Sequence, residues 1–321
     1  MEEVETPKPG PGEVVIRVKA CGICGSDLHE YKLCIFPEVG IPAGKGRIMG
    51  HEFSGEIAEI GEGVTGLKPG DRVVTISYGG NAEYIKIGAM LRPLILPVPE
   101  NISFDEAATN EPLATSLHGV NLAAPKDNET IVIVGCGLIG LGALQIVKAN
   151  SKARTVAVDV ADNRLDMAKK LGADILVNAA KEDPYEAMSK LTGSTKIEFL
   201  DYPVPAIDTV IDCAGYSAEN TGKPPLWQAL QMVKQNGKVV LISVFEKPAE
   251  IDMNIIMRKN IYLIGSWGWN PLEFFYAFEL IKSGKIDRRP LITHRFPLEK
   301  AKEAYETQLN ARGAIKVIIN P

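Results

Sequence analysis

The sequence is poor in the residues that form disulfides or bind metals, with 5 cysteines and 4 histidines in 321 residues. So few cysteines exclude a disulfide scaffold, and the opening MEEVETPKPGPGEVV lacks the basic and apolar regions of a secretory signal. No run approaches about 18 consecutive apolar residues, as a membrane span requires. Basic residues are not in excess either, with 35 Lys and Arg against 40 Asp and Glu, which disfavours nucleic-acid binding. We therefore expect a cytoplasmic protein with no nucleic-acid or membrane partner.

The length suffices for about two domains, each large enough to bury its own core. In roughly the first hundred residues, segments such as GEVVIRVK alternate apolar and polar residues between Gly and Pro turns, which predicts a mainly-β module. From Thr130 onward, Val and Ile runs such as IVIV alternate with helical segments, a pattern typical of a doubly wound parallel sheet. Ser103 and Asp105 are predicted helix-start residues between the two modules.

A glycine-rich turn follows the first buried strand of the second module. Gly135, Gly137 and Gly140 form G-x-G-x-x-G, in which glycines allow a tight turn, close approach of the backbone to a pyrophosphate, and close helix packing. Asp159 ends the next strand, where a carboxylate would bind the adenosine ribose hydroxyls and repel a 2′-phosphate. The motif predicts a domain that binds NAD. The alternative is a glycine-rich turn in a domain that binds another ligand or none.

Candidate metal ligands lie in the first module, within CGICGSDLHEY and MGHEFSGE. Thiolate, imidazole and carboxylate groups together suit zinc. Cys21 and Cys24 also form a CxxC, as in a redox pair or half of a structural zinc site, but there is no second CxxC and no surrounding βαβ unit. From the residues alone, His51 beside Glu52 is more often structural than a ligand pair.

Three motifs together resemble one family. GHEFSGEIAEIGEGV resembles the zinc signature of the medium-chain dehydrogenase/reductase family, CGICGSDLH resembles its first metal-ligand loop, and GCGLIG resembles its cofactor loop. The tract VFEKPAEIDMNIIMRKN looks most like the 2,3-butanediol dehydrogenase branch, whereas PLITHRFPLEKAKEAYET resembles sorbitol dehydrogenases. The resemblance implies an α/β protein with a GroES-like mainly-β catalytic domain at 1–110 and 288–321. An NAD-binding Rossmann domain would occupy 111–287.

Carried over by this resemblance, Cys24 and His51 are zinc ligands, and Glu111 takes the place of the family's third protein ligand. Glu52 either binds zinc or alternates with water. Asp27 would accept a hydrogen bond from His51 and fix its tautomer, although a turn-capping role fits the sequence equally well.

The family's proton relay has counterparts in Ser26 and His29. These two residues and Glu52 form the predicted catalytic set, and a plain surface position is the alternative for His29. Arg164 is expected near the adenosine, although a solvated helix arginine is nearly as consistent. The predicted cofactor-binding set is Gly135, Gly137, Leu138, Ile139, Gly140, Asp159, Arg164, Val244 and Ser266. No ligand position is matched by Cys21, Cys34, Cys136, Cys213, His118 or His294.

The chain departs from the family pattern in three places. Many relatives hold a structural zinc with four cysteines between GDRV and the next glycine-rich turn, and this sequence has none there, so we expect one catalytic zinc per chain. A leading hairpin of about twenty residues is also missing before PKPGPGEV, which predicts an exposed sheet edge or a short start. Gly268 and Trp269 replace the Arg-Tyr pair of sorbitol dehydrogenases and predict a more apolar pocket, unless Trp267 and Trp269 serve the core or a subunit interface.

The sequence therefore predicts an oxidoreductase that uses zinc and NAD to oxidise a secondary alcohol or vicinal diol. Its expected partners are a small alcohol or ketone substrate and further copies of the chain, in a homodimer or homotetramer. The alternative enzyme is a polyol or sugar-alcohol dehydrogenase. The alternative of another class is a non-catalytic nucleotide-binding relative with a truncated start.

Overall fold

The structure is a computed structural model, and it describes residues 2–33, 48–197, 203–311 and 313–321. Its strands are β1 (Val14–Gly22), β2 (Glu52–Ile60), β3 (Arg72–Ile76), β4 (Tyr84–Ile87), β5 (Leu96–Pro97), β6 (Thr130–Val134), β7 (Arg154–Asp159), β8 (Ile175–Asn178), β9 (Ser194–Thr195), β10 (Val204–Pro205), β11 (Ile207–Asp212), β12 (Val233–Leu241), β13 (Tyr262–Gly265), β14 (Ile292–Pro297) and β15 (Lys316–Asn320). Its helices are α1 (Gly25–Leu33), α2 (Phe104–Ala108), α3 (Asn110–Ala123), α4 (Leu138–Asn150), α5 (Asp162–Lys170), α6 (Pro184–Thr192), α7 (Pro225–Met232), α8 (Met253–Lys259), α9 (Pro271–Lys282) and α10 (Ala301–Asn310). Across these ranges, no helix has the length and apolar character needed to cross a membrane. Cys34 lies outside the described residues, so the expectation that it has no ligand role stays a prediction.

The chain divides into two compact units. Unit 1 comprises Met1–Ala114 and Pro271–Pro321, and unit 2 comprises Thr115–Asn270. The predicted domains are discontinuous in the same way, but residues 271–287 group with unit 1. The reason is local packing: α9 contacts α2, and the Asn110 side-chain amide donates to the Phe274 carbonyl at 3.1 Å. The boundaries at 110, 111, 287 and 288 stay predictions for the functional domains.

Unit 1 is built on a mainly antiparallel sheet in the order β14-β15-β1-β2-β3-β5, with β4 also paired to β1. Alternate residues of β1 point to a core that includes Phe53 and Ile57, as the alternation of GEVVIRVK predicts. The C-terminal strand β15 pairs antiparallel with the end of β1, with Cys21 opposite Ile319. The expected return of the tail to the first module is therefore confirmed, as is the GroES-like mainly-β fold.

The segment after β5 begins with a capping box. Ser103 accepts a hydrogen bond from the Glu106 N–H, and the Glu106 carboxylate accepts one from the Ser103 N–H, each at 3.2 Å. The predicted helix start at Ser103 is confirmed. After α2 the chain passes into α3, which carries Glu111 in its first turn.

Unit 2 contains a parallel sheet in the order β13-β12-β11-β6-β7-β8. This order reverses direction between β6 and β11, the arrangement of a doubly wound Rossmann fold, in which ligands bind beyond the carboxyl ends of the strands. The strand interiors are Val- and Ile-rich and buried, including Val132, Val156, Val210 and Val239, because helices cover both faces. The predicted parallel sheet is confirmed.

A buried lysine caps the C-terminal end of helix α7 in unit 2. Lys259 is 0% exposed, and its Nζ donates to the carbonyls of Leu230, Gln231 and Val233 at 2.7–2.8 Å. These carbonyls belong to the last turn of α7 and to the residue that follows it. At the C-terminal end of a helix the carbonyls have no N–H donors within the helix, and a nearby positive charge is favourable. The lysine thus supplies donors that the backbone lacks there.

We expect Lys259→Met to lower the free energy of unfolding of unit 2 by about 2 kcal/mol, because three buried carbonyls lose a charged donor. The three tryptophans, Trp227, Trp267 and Trp269, all lie in unit 2, so fluorescence during urea denaturation reports its unfolding. The matched control is Lys190→Met, which removes an exposed lysine in the same unit and should change stability by less than about 0.5 kcal/mol. Equal effects of the two variants would contradict the role given to Lys259.

Candidate metal and cofactor sites

The pairing of β1 with β2 assembles a group of metal-ligating side chains. In that antiparallel ladder Gly22 lies opposite Glu52. Cys24 follows the end of β1 by two residues, and His51 directly precedes β2, so the register carries both to one end of the sheet. One ligand atom each from Cys24, His51 and Glu52 lies within 4.8 Å of the other two. Residues 27 positions apart in sequence thus converge through strand register.

Asp27 connects the two halves of this group. Its carboxylate is 2% exposed and accepts a hydrogen bond from the Cys24 N–H at 2.9 Å and one from the Gly50 N–H at 3.4 Å. Nδ1 of His51 lies 3.4 Å from the same carboxylate. Asp27 therefore caps the turn after β1, and the same carboxylate faces His51, whose tautomer stays a prediction.

The charges in this group shift one another's pKa. Burial opposes ionisation of Asp27, but the hydrogen bond and charge of His51 hold the pKa of this carboxyl below its usual value. Burial alone would lower the pKa of His51, yet the charges of Cys24 and Asp27 raise it well above its usual value. Burial, with the charge of Glu52, raises the pKa of the Cys24 thiol. A cation that replaces the protons on the thiol and imidazole would offset these opposing effects of burial and charge on ionisation.

Glu52 is held by a buried lysine. Glu52 is 1% exposed and Lys316 0%, and Lys316 Nζ donates to Glu52 Oε2 and, at 2.8 Å, to the Ile23 carbonyl. Glu52 Oε1 is buried, and none of the described residues donates a hydrogen bond to it. The fully buried Arg288 is a second nearby cation: burial lowers its pKa to about 10, and the charge of Glu52 opposes that shift. One carboxylate oxygen is thus fixed, and the other is available to a cation.

Sequence reasoning missed both cations. Lys316 interrupts the apolar run of the last strand, AIKVIIN, and a lysine in a strand that reads as buried is a usable signal for a charged partner. Arg288 stands beside Arg289 in IDRRPL, and only the fold distinguishes the buried arginine from its exposed neighbour. No pattern in the sequence marks it.

The remaining predicted residues of unit 1 lie on two helices. Glu111 is in the first turn of α3 and is not among the described side chains whose ligand atoms lie within 4.8 Å of one another. Ser26 and His29 are three residues apart on α1, a spacing that places them on one helix face. Both are half-buried. Cys21, the other cysteine of the CxxC, is fully buried in the sheet core, and burial raises the pKa of its thiol.

In unit 2, the glycine loop has the geometry that the motif predicts. Gly135 adopts φ +89°, which favours glycine, and ends the strand β6 in a tight turn. A Cβ on Gly140 would lie 1.8 Å from the Gly135 carbonyl oxygen, so the helix start fits closely against the loop only without a side chain. Around Gly137, at the start of α4, the space where a side chain would stand is open.

Asp159 faces this loop. Its two carboxylate oxygens accept hydrogen bonds from the Cys136 N–H at 2.7 Å and the Ala161 N–H at 2.9 Å. Each oxygen keeps a second acceptor site. Arg164 lies on α5, and its buried Nε hydrogen-bonds none of the described residues. Its charge partly offsets the rise that burial causes in the pKa of the Cys136 thiol. Asp159 and Arg164 are therefore both close to the glycine loop.

The other predicted cofactor residues lie near the same edge of the sheet. Leu138 and Ile139 open α4 and are half-buried. Val244 follows β12, and its carbonyl accepts from the Tyr216 N–H at 3.2 Å. Ser266 follows β13, with a buried Oγ that has no hydrogen-bond partner within the described ranges. Trp267, next in the chain, is 72% exposed, so it does not belong to the core of unit 2.

A buried aspartate braces the loop opposite Gly135. Asp212 ends β11, is 0% exposed, and accepts a hydrogen bond from the Ala214 N–H at 3.0 Å. Burial raises the pKa of Asp212 to about 6 in spite of the hydrogen bonds from the Ala214 and Gly215 backbone. Between pH 4 and 6 the folded protein therefore keeps a proton that the unfolded chain has released, and its stability falls as pH rises through this window.

We expect Asp212→Asn to remove this pH dependence. Relative to the unchanged protein, the variant should gain about 2 kcal/mol in the free energy of unfolding of unit 2 between pH 4 and pH 7. Urea denaturation followed by tryptophan fluorescence at several pH values measures the difference. A stability difference that stays constant over this range would show that Asp212 ionises at its usual pKa.

Comparison with known proteins gives two family matches. Residues 10–92 match the alcohol dehydrogenase GroES-like domain, and residues 139–283 match the zinc-binding dehydrogenase domain. Together these matches span both units. They agree with the domain types that the sequence motifs predict.

Named relatives cover nearly the whole chain. L-threonine 3-dehydrogenase of Bacillus velezensis is 30% identical, covering 100% of this chain and 95% of that protein. (R,R)-butanediol dehydrogenase of Bacillus subtilis is 30% identical over 100% and 96%, and human sorbitol dehydrogenase is 29% identical over 96% and 88%. The crystal structure of 2R,3R-butanediol dehydrogenase from Bacillus subtilis superposes with a TM-score of 0.83, at 30% identity, over 100% of this chain and 95% of that one.

Proposed function

Because the chain belongs to the zinc-dependent medium-chain dehydrogenase/reductase family, we propose that it transfers hydride between a secondary alcohol or vicinal diol and NAD. The observation that carries this proposal is the convergence of Cys24, His51 and Glu52 at one end of the unit 1 sheet. In unit 2, the glycine loop and Asp159 provide features that suit a dinucleotide.

The donor set of unit 1 fits a zinc ion. Cys24 offers a thiolate, and His51 offers the ring nitrogen opposite Nδ1, because Nδ1 faces Asp27. Glu52 Oε1 is buried and accepts no hydrogen bond from the described part of the chain, so it is the available carboxylate oxygen. Glu111 is the further candidate ligand on α3. Three protein ligands would leave a position for substrate, as catalytic zinc sites do. We propose one catalytic zinc per chain and no structural zinc.

The features of unit 2 fit NAD. The open space at Gly137 and the N-terminus of α4 suit a pyrophosphate, whose negative charge is favoured there. The free acceptor sites of Asp159 suit the two ribose hydroxyls, and its charge would repel a 2′-phosphate. When bound, zinc supplies Lewis acidity that lowers the pKa of an alcohol, and NAD supplies the hydride acceptor.

The residues of this chain then have separate tasks. Asp27 holds His51 in one tautomer, and Lys316 keeps one oxygen of Glu52 occupied. Ser26 accepts the hydroxyl proton of the substrate and passes its own toward His29, on the same face of α1. His29 releases the proton outward. An imidazole can take up a proton on one ring nitrogen and release one from the other, which suits that last step.

One combined experiment tests the proposed function. The purified protein is analysed for metal content and then assayed for NADH formation with 2,3-butanediol stereoisomers, threonine, sorbitol and cyclic secondary alcohols. We expect one zinc per chain and activity with at least one of these alcohols. Two zinc ions per chain would contradict the single-site proposal, and zinc binding without NAD reduction by any substrate would favour a non-catalytic relative.

A polyol or sugar-alcohol dehydrogenase is the second candidate. Similarity to human sorbitol dehydrogenase over 96% of the chain favours it. Against it stands the replacement of an Arg-Tyr pair by Gly268 and Trp269, because a long polyhydroxy chain needs more polar partners than indoles provide. In the substrate panel, a higher kcat/KM for sorbitol than for butanediol would select this second candidate.

Cofactor choice should depend on Asp159. We expect Asp159→Ser to lower the ratio of kcat/KM for NAD to that for NADP by at least about tenfold, because the ribose loses a charged acceptor and the 2′-phosphate loses a repulsive charge. Steady-state rates with each cofactor give this ratio. The control is Asp183→Ser, which removes the N-cap of α6 in the same unit and should leave the ratio unchanged. If Asp159→Ser leaves the ratio unchanged, the ribose of NAD does not bind at Asp159.

The oligomeric state and cellular location are also proposals. β13 is an edge strand of the unit 2 sheet, with Tyr262 61% and Leu263 40% exposed, and such an edge can pair with a second copy. We propose a cytoplasmic homodimer or homotetramer. Light scattering of the purified protein measures its mass, and a mass near 34.8 kDa would show a monomer instead.

A further inference from the structure

We propose that Asn81 and Tyr305 are positioning residues of the metal site, which hold the turn before His51 through a hydrogen bond between them. This proposal rests on the proposed zinc site. Neither residue belongs to the ligand group, and neither was singled out by the sequence motifs. Asn81 follows the glycine-rich turn after β3, and Tyr305 lies on α10, so the pair connects two parts of unit 1 that are 224 residues apart in sequence.

The turn that carries His51 has little freedom of its own. Gly50 adopts φ +84°, and its carbonyl accepts hydrogen bonds from the Gly79 and Gly80 N–H groups at 2.9 and 2.8 Å. The Met49 carbonyl accepts one from the Asn81 N–H at 2.9 Å. The two peptide carbonyls before His51 are therefore fixed by residues 79–81, and any movement of Asn81 is transmitted to the His51 backbone.

The Asn81 side chain lies directly against this turn. A Cβ on Gly50 would stand 2.6 Å from Asn81 Oδ1. The same amide is oriented at its other end, where Nδ2 donates to the Tyr305 hydroxyl at 2.8 Å. Oδ1 is buried and has no hydrogen-bond partner among the residues that the structure describes, so this polar side chain is costly to bury. An apolar side chain would fill the same space at a lower free-energy cost. The amide differs in that its hydrogen bond to Tyr305 holds it in one orientation.

Tyr305 is a rigid anchor for that amide. It is 5% exposed and packs in a cluster with Ile23 and Met49, which flank Cys24 and His51 in sequence. Its ring centroid is 5.5 Å from that of Tyr31 on α1. The Tyr305 side chain is held by this cluster, by Tyr31 and by Asn81. A shift of α10 would therefore move Asn81 and, with it, the turn before His51.

The test compares Tyr305→Phe, which removes only the hydroxyl, with the matched control Tyr185→Phe. Tyr185 donates its hydroxyl proton to the Pro203 carbonyl in unit 2, remote in sequence from the metal ligands. Zinc affinity is measured by competition with a chelator, and Co²⁺ is substituted for zinc so that its visible absorption bands report ligand geometry. We expect Tyr305→Phe to weaken zinc binding about tenfold and to shift the Co²⁺ bands, with neither change in Tyr185→Phe.

Asn81→Ala is the second variant and should reproduce both changes, and Tyr305→Phe combined with Asn81→Ala should add little to either single variant. This keeps the test decisive if one variant folds poorly. If the folded variants bind zinc within twofold of the unchanged protein and leave the Co²⁺ bands unshifted, Asn81 and Tyr305 contribute only to core packing. If the unchanged protein itself binds neither zinc nor Co²⁺, the proposed function fails first.

Discussion

Lys316→Met is expected to lower the free energy of unfolding of unit 1 by roughly 3–5 kcal/mol. The substitution removes the positive charge that faces Glu52 but leaves the carboxylate buried, and an unpaired buried charge is far more costly than the loss of an exposed ion pair. The Ile23 carbonyl also loses its donor. Urea denaturation followed by far-ultraviolet circular dichroism measures the change, with amide exchange in β15 as a local report.

The matching control is the double variant Glu52→Gln and Lys316→Met. Without a carboxylate there is no buried charge to compensate, so the double variant should be more stable than Lys316→Met alone. An exposed pair in the same unit, Lys300 and Glu303, gives a reference, because Lys300→Met should change stability by less than about 1 kcal/mol. Equal losses in Lys316→Met and Lys300→Met would mean that the buried pair of Glu52 and Lys316 stabilises unit 1 no more than an exposed ion pair does.

Cys24→Ala is expected to abolish stoichiometric zinc binding and to lower kcat/KM for the best alcohol substrate by at least about a thousandfold. The thiolate is one of the three side chains that converge within the described part of the chain, and an ion that stabilises a developing negative charge contributes several kcal/mol to catalysis. Metal analysis and steady-state rates with NAD are the measurements. Full zinc content and an unchanged rate would remove Cys24 from the site.

Cys21→Ala is the sharpest control for that variant. Cys21 is the other cysteine of the CxxC, but it is buried among Val18 and Phe53 in the sheet core. We expect its substitution to keep zinc stoichiometry and to change kcat/KM by no more than a few fold, with a loss of stability of about 1 kcal/mol from the small cavity. Loss of zinc in both variants would instead support a metal or redox site that uses the CxxC as a pair.

The two buried cations around Glu52 also show how unit 1 supports an acidic site. Lys316 contacts one carboxylate oxygen directly, and Arg288 acts on Glu52 through its charge while its Nε lies 3.4 Å from Thr109 Oγ1. Thr109 stands two residues before Glu111. This buried positive charge offsets part of the cost of burying the Glu52 carboxylate near Cys24.

The cofactor half of the protein was predictable because its determinants are local. G-x-G-x-x-G follows a strand and opens a helix, so turn geometry, close packing and an anion-favouring helix start all depend on neighbouring residues. The Val and Ile runs predicted a parallel sheet for the same reason. The position of Asp159 follows from adjacent parallel strands, whose carboxyl ends meet at one edge.

The metal half was predictable only as a set of candidates. The sequence identified Cys24, His51 and Glu52 by residue type and by resemblance, and it expected the tail to return to the first module. It did not predict that α9 groups with unit 1, because a helix with an apolar face is compatible with either unit until its partners are known. Likewise, Glu111 was expected beside the other ligands, and its role there is still a prediction.

The sequence by itself determined the two kinds of domain, the glycine loop and the chemistry of the candidate ligands, since each depends on residue type and short-range spacing. Only the tertiary structure decided which charges surround them. Lys316 reaches Glu52 because β15 pairs with β1, and Tyr305 reaches Asn81 because α10 packs beside the turn that precedes His51. These contacts join residues more than 200 positions apart, and no local pattern encodes them, because burial and pairing arise only when distant strands and helices share one core.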